Sequence, residues 1–240
     1  MPICSEDRKG EHPAIHLKGF RGLLQADGYA GFGSLLDAKT GDGPRLVFCW
    51  AHTRRKFYDI HVATQSPLAA EALRRIAALY AIEAEIRGKP AEERRQVRQQ
   101  RSRPLVEAMH TWLNQQLERV SGRSASAQAI RYALNHWDGL ILFLEDGRLE
   151  LDTNTVERSI RPVTLTRKNA LFAGADSGGR HWAIIASLIQ TARINGVDPL
   201  AWLTDVLERI VSGRTRRHEL ETLLPWNWQA ARVAEVHSTA

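Results

Sequence analysis

Cysteine is almost absent: Cys4 and Cys49 are the only two in 240 residues. Two thiols cannot build a disulfide framework, and their scarcity suits a reducing compartment. Cys49 and His52 have the spacing of half a zinc site, but no second pair stands at a matching distance, so a structural zinc is not expected. Long apolar runs are also missing. None approaches the ~18 residues needed to span a bilayer, and the opening stretch, Met1 to Pro13, is charged where a signal peptide would be apolar. These absences lead to the expectation of a soluble, cytoplasmic protein. No repeat at the roughly 20–50-residue periods of solenoids occurs, nor any long Gly/Ser or Pro linker, which excludes a repeat array or loosely tethered modules.

What is present supports a folded core. The chain is 43% hydrophobic and 25% charged, with 7 Trp in 27.0 kDa, a balance that argues against wholesale disorder and for one large domain or two small ones. The charge of one sign dominates: 33 Lys and Arg against 27 Asp and Glu leave a net +6 and a pI near 9.7. Such an excess favours a polyanion such as nucleic acid. Arginine outnumbers lysine heavily, and its fork matches phosphate bidentately; a GC-rich coding sequence gives the same ratio.

Periodicity divides the chain. Short apolar runs at Gly22 to Ala26 and Arg45 to Trp50, separated by the turn-forming Gly41-Asp42-Gly43-Pro44, predict two strands of an α/β unit. From Ser66 the pattern becomes helical. Leu68, Leu73, Ile76, Leu79, Ile82 and Ile86 recur near 3.6 residues until Gly88 and Pro90. An Arg-rich helix follows, then a third from Pro104 towards Val120 with Leu105, Met109, Trp112, Leu113 and Leu117 on one face. A further helix runs through Trp137 to Leu144 and breaks at Glu145-Asp146-Gly147-Arg148. Asp152-Thr153-Asn154 offers helix caps. Arg180 to Ile194 and Pro199 to Ser212 complete the helices, with Trp182, Ile185, Ala186 and Ile189 sharing a face of the first and Leu203, Val206, Leu207 and Ile210 inward on the second.

Several residues are candidates for chemistry. Asp27 closes the first apolar run, where a carboxylate at a strand end can ligate a metal, although Asp27-Gly28 is equally a common turn. Glu157 can close a capping box with Asn154 and pair with Arg161, or it can converge with Asp27 on Mg²⁺, which takes one or two carboxylates plus water and phosphate. Arg54, Arg55 and Lys56 follow a strand directly and stand at a strand-to-helix junction, where they either meet phosphates or form a solvated first turn. The run from Arg87 to Arg103, including Arg94, Arg95 and Arg98, reads as a solvated helix face, with contact to the DNA backbone as the alternative. Arg209, Arg214, Arg216 and Arg217 form a second basic cluster, and Trp226 and Trp228 read as cover for core surface.

Read in order, Leu24-Gln25-Ala26-Asp27-Gly28-Tyr29, Cys49-Trp50-Ala51-His52 with Arg54-Arg55-Lys56-Phe57, Asp152-x-Asn154-x-x-Glu157-Arg158 with Arg161-Pro162, Arg167-Lys168-Asn169, Leu171-Phe172-Ala173-Gly174, Ser187-Leu188-Ile189 and Asn195-Gly196-Val197-Asp198-Pro199 resemble the DDE-type transposases of bacterial insertion sequence family sixty-six. The resemblance implies an incomplete ribonuclease-H-like α/β core over 1–65 and 126–213, a helical insertion over 66–125, and an extension over 214–240. It implies that Asp27 and Glu157 are the second and third members of a catalytic triad binding Mg²⁺. Arg54, Arg55, Lys56, Arg158, Arg161, Arg167 and Lys168 are then the contacts to DNA at the element's ends and target. Such a triad needs a first aspartate on an earlier strand. Asp7, in Ser5-Glu6-Asp7-Arg8, resembles the stretch after that strand, so the chain is expected to be a truncated transposase, impaired in DNA cleavage and strand transfer. The alternative is a silent remnant that coats DNA or pairs with an intact transposase or the element's accessory proteins.

The charge distribution makes DNA affinity electrostatic. In a gel-shift titration the affinity is expected to fall linearly with salt on logarithmic axes, by a slope of about −0.9 per phosphate neutralised. Replacing Arg158, Arg161 and Lys168 by Ala should make that slope shallower; absence of binding even at low salt would contradict the inference from charge.

Overall fold

In a computed structural model, residues 9–28, 30–35, 43–169 and 174–230 are described. They form a mostly helical chain with one small sheet. The elements are α1 (Glu11–His16), β1 (Leu23–Ala26), a 3-10 turn (Ala30–Leu35), β2 (Arg45–Phe48), α2 (Trp50–Thr64), α3 (Pro67–Glu85), α4 (Ala91–Val97), a π-helical turn (Arg98–Ser102), α5 (Arg103–Arg119), α6 (Ala125–Asn135), α7 (Trp137–Leu140), a 3-10 turn (Leu142–Leu144), α8 (Asn154–Asn169), α9 (Asp176–Ile194), α10 (Pro199–Val211) and a last 3-10 turn (Arg217–Leu223). The α/β expectation holds only at this level: β1 and β2, paired in parallel with Leu23 opposite Arg45 and Ala26 opposite Phe48, are the only strands among the described residues. The chain divides into a larger unit ending at Glu157 and a smaller one from Arg158 onward, each with its own apolar core.

In the larger unit the expected helical block from Ser66 to Val120 contains no strand, and α3 begins at an N-cap whose Ser66 hydroxyl accepts from the Ala69 amide. The block does not stand apart. Ala72, Ile76 and Leu79 of α3 and Val106, Met109 and Leu113 of α5 share one core with Trp50 and Phe57 of α2 and Ile130 and Ala133 of α6. On α5, Val106 rather than Leu105 turns inward.

Two expectations change in the arginine run. No break occurs before Pro104; helix continues through the π-helical turn 98–102 into α5. Proline has no amide hydrogen and its ring crowds the carbonyl four residues back, and a widened turn relieves both. The widened turn directs Arg98 and Ser102 inward, both fully buried. Arg98 is therefore no solvated cation. Its Nε and Nη2 donate to the two oxygens of Glu83 at 2.7 Å each, its Nη1 to the carbonyls of Phe143 (2.9 Å) and Asp146 (3.2 Å), and its Nη2 also to Leu149 (2.9 Å). All five guanidinium hydrogens are used. Arg94, largely buried, adds bonds to Glu150 and the Leu149 carbonyl. Arg95 and Arg101 remain on the surface, in pairs with Glu92 and Glu85.

The same bonds fix the loop 143–150. Hydrogen bonds from Arg148 hold the Asp146 carboxyl down at about 2. Gly147 lies so close to α4 that a Cβ there would meet the Ala91 carbonyl.

The smaller unit is built on Trp202 and Trp228, whose indoles donate to the Leu223 carbonyl (2.8 Å) and to Asp205 (2.6 Å). Asp198 caps α10 by accepting from the Ala201 amide, with Pro199 in the first turn as expected. α9 starts at Asp176 rather than after Gly178-Gly179; of the residues expected to share a face, Trp182 and Ile185 are exposed, while Ala183 and Ala192 are buried. On α10, Leu207 and Ile210 are exposed too, and Trp226 is half exposed. Among the described residues no helix is long and apolar enough to cross a membrane.

Removing a buried, fully bonded guanidinium strands a carboxylate and three carbonyls. Arg98→Leu is expected to cost about 3–5 kcal/mol in urea unfolding, whereas Arg101→Ala, on the surface of the same helical run, should leave stability nearly unchanged. Equal effects would contradict the burial.

Candidate active site

Five backbone and side-chain links tie the ends of both strands to the segment that precedes α8. The Gln25 amide on β1 donates to the carbonyls of Glu150 (2.8 Å) and Asp152 (3.1 Å). The Trp50 amide, at the start of α2, donates to Leu151 (3.1 Å). The buried Cys49 sulfur lies 3.3 Å from the Thr153 amide and 3.2 Å from its hydroxyl. Trp50 itself is locked by its indole, which donates to the Leu140 carbonyl at 2.9 Å.

Asp152 is the anchor of that segment. Its carboxylate accepts from the Asn154 amide (3.0 Å), the Asn154 side chain (2.6 Å) and the Tyr80 hydroxyl on α3 (3.0 Å). Burial, and next the charge of Asp152, raise the Tyr80 pKa far above the ordinary phenol value.

Asp27 and Glu157 arrive at this end of the sheet from opposite sides in sequence. Asp27 follows Ala26, the register partner of Phe48, so it flanks Cys49 across the parallel pair. Its turn is pressed against α6: a Cβ on Gly28, which has φ +84°, would lie 2.6 Å from the Tyr132 hydroxyl, and that hydroxyl makes a long 3.5 Å contact with the Asp27 carbonyl. Burial raises the Tyr132 pKa, with smaller contributions from Cys49 and Asp27. Glu157 sits in the first turn of α8. Its Oε1 accepts from the Thr153 hydroxyl at 3.0 Å and lies 3.7 Å from His52 Nε2 in the first turn of α2. The expected capping box between Asn154 and Glu157 is thus replaced: Thr153 provides the carbonyl for the Glu157 amide, and its hydroxyl, not a backbone amide, meets the carboxylate.

The basic candidates fall in two places. Arg54, Arg55 and Lys56 are exposed on α2. Arg54 lies over the Tyr58 ring (5.6 Å) and Lys56 over the Tyr132 ring (5.3 Å), so Lys56 reaches the face of α6 that backs the Asp27 turn. Arg158 and Arg161 are exposed on α8 in the smaller unit; Arg167 and Lys168 belong to the same helix, but their side chains lie outside the described residues.

As a ligand set, Asp27 and Glu157 offer hard carboxylate oxygens at an accessible edge, the donors that Mg²⁺ takes alongside water and phosphate. Among the described residues no three His, Cys, Asp or Glu side chains cluster as a complete set. The two carboxylates fit the ion in kind, with the remaining positions open to water and substrate. Sequence reasoning missed Gln25, Tyr80, Tyr132 and Thr153 as supports; only Gln25, a polar residue inside an apolar strand, carried a visible signal.

The Tyr80 hydroxyl holds its bond to Asp152 only while protonated, so its contribution to stability is full below the ordinary phenol pKa and declines as pH rises from there towards the raised folded-state value. In alkaline spectrophotometric titration Tyr80, one of four tyrosines, should ionise only as the protein unfolds, and Tyr80→Phe should remove that late component.

Comparison with known proteins places most of the chain in one family. Residues 3–181 match the Transposase IS66 family and residues 187–226, which overlap the core of the smaller unit, match the IS66 C-terminal element. Among curated proteins, "Uncharacterized protein y4jD" of Sinorhizobium fredii is 48% identical over 236 residues, covering 97% of this chain and 46% of that protein. From the same organism, "Uncharacterized protein y4qI" is 47% identical over 229 residues (93% and 42%), and "Uncharacterized protein y4hP" is 42% identical over 246 (97% and 44%). The chain therefore spans less than half the length of these relatives. No solved structure matches. With family matches along most of its length, the chain belongs to the IS66 transposase family.

Proposed function

We propose that this chain supplies part of the catalytic domain of an insertion-sequence transposase acting in the cytoplasm on the ends of its element. The single observation that supports the reading is that Asp27 directly follows β1, while Glu157 is tied through Thr153 to Cys49, which directly follows β2, so both belong to the same end of the parallel pair. Carboxylates gathered at the C-terminal edge of parallel strands are a recurrent arrangement for sites in open α/β sheets. The parallel pair followed by α2 is read as a portion of a ribonuclease-H-like core.

In this reading Asp27 and Glu157 would hold Mg²⁺, which supplies activation of the attacking oxygen and stabilisation of the leaving oxygen in in-line phosphodiester displacement. The remaining work falls to the protein's own groups. Arg54, Arg55 and Lys56 neutralise backbone phosphates beside the sheet's end, and the rings of Tyr58 and Tyr132 restrain two of these long side chains. Arg158, Arg161, Arg167 and Lys168, all in the α8 sequence, are assigned further phosphate contacts. Binding by these groups reads charge and backbone position rather than base sequence.

Excision of the element in cells tests the proposal. Asp27→Asn and Glu157→Gln are each expected to abolish excision while protein level and DNA affinity persist, and Asp59→Asn, on the exposed side of α2, should excise normally. Normal excision by either carboxylate variant would contradict the assignment. Binding of element ends by the unaltered protein with no cutting would favour the DNA-coating alternative.

A further inference from the structure

We propose that Cys49 and Thr153 are a positioning pair that holds the Glu157 carboxylate by one oxygen, the thiol donating to the Thr153 hydroxyl and the hydroxyl donating to Glu157; the inference rests on the reading of Glu157 as a metal ligand. Proton counting carries it. Thr153 Oγ1 lies within bonding distance of two groups, Cys49 Sγ at 3.2 Å and Glu157 Oε1 at 3.0 Å. A hydroxyl has one hydrogen to give, and a carboxylate only accepts. Both contacts are hydrogen bonds only if the Thr153 proton points to Glu157 and the Cys49 S–H points to Thr153 Oγ1. The sulfur meanwhile accepts the Thr153 amide hydrogen, at 3.3 Å. Every polar atom in the chain of contacts is then satisfied, as the burial of Cys49 (2% exposed) and Thr153 (6%) requires.

The direction of the chain matters for the carboxylate. His52 Nε2 approaches the same oxygen, Oε1, at 3.7 Å. Both contacts therefore fall on one oxygen of Glu157, and Oε2 carries neither. A ligand carboxylate pinned through one oxygen by a buried donor presents the other in a fixed direction, which is what outer partners of metal ligands do. Cys49 is itself fixed, because it stands between β2 and α2 at the point where the chain turns from strand to helix. The thiol thus transmits the position of the sheet's end to Glu157, and the role needs a weak donor of sulfur's length rather than a reactive thiolate.

The test uses the full chain with Cys4→Ser, so that Cys49 is the one thiol. Infrared spectroscopy should show its S–H stretch displaced to lower frequency, as for a donating thiol. In Thr153→Val the band should return to the free-thiol position, and in Thr153→Ser it should stay displaced. Calorimetric titration with Mn²⁺ should show about tenfold weaker binding for Thr153→Val and Cys49→Ala, restored in Thr153→Ser, with DNA affinity and melting temperature held. A free-thiol band in the unaltered protein, or full Mn²⁺ affinity in Thr153→Val when Glu157→Gln has lost it, overturns the proposal. If Glu157→Gln keeps full Mn²⁺ affinity, the metal reading of the site fails instead, and the S–H band alone decides the direction of the hydrogen bonds.

Discussion

The guanidinium of Arg98 is the interaction on which the larger unit depends. It is fully buried, it faces Glu83 in a two-point pair, and it takes up the carbonyls of residues 143, 146 and 149. A buried cation is tolerable only when its charge is matched and its hydrogens are all used. Both conditions are met, so the pair works as a lock between α3, the π-helical turn and the loop that leads to α8. Without it the irregular stretch 141–153 would have little to hold it in one course, since loops retain order through the bonds of their backbone groups.

That course sets the geometry of the site. From the Arg98 lock the chain passes Leu149 and Glu150, meets Gln25 and Trp50 at the strand ends, and reaches Asp152, which is held by Tyr80 and by Asn154. Glu157 follows within one helical turn. A carboxylate far along the chain is in this way tied, through Thr153 and Cys49, to the end of the sheet at which Asp27 follows β1. The ionic lock, the strand-end bonds and the Cys49–Thr153 contact act in series, and a flaw in the first displaces the last.

Much of the local structure was legible in the amino-acid sequence because its causes are local. Ser66 before Pro67, Asp198 before Pro199, and Gly196 and Gly213 after their helices carry their cap chemistry within four residues. The two strands and the junction at Cys49 were legible for the same reason. The arginine run was misread as a solvated face because the partners that bury Arg98 lie 15 to 51 residues away, and charge patterning cannot see them. On α10, Leu203 and Val206 pack inward as expected but Leu207 and Ile210 do not, because apolar spacing says that a helix has a face without saying how much of it is covered. Asp27 and Glu157 were singled out as catalytic only through the resemblance to a family, while Gln25, Tyr80, Tyr132 and Thr153, which touch the segments carrying them, are contacts of the folded chain.

The central claim is that Asp27 and Glu157 face one metal position at the end of the sheet. Iron-directed cleavage of the polypeptide tests it most directly: Fe²⁺ loaded in place of Mg²⁺, with ascorbate and peroxide, generates radicals that cut the backbone nearest the ion. Cuts mapped by mass spectrometry to the neighbourhoods of both Asp27 and Glu157, and lost together in Glu157→Gln, are the predicted result. Cuts confined to one of the two neighbourhoods, or persisting unchanged in Glu157→Gln, would contradict the account.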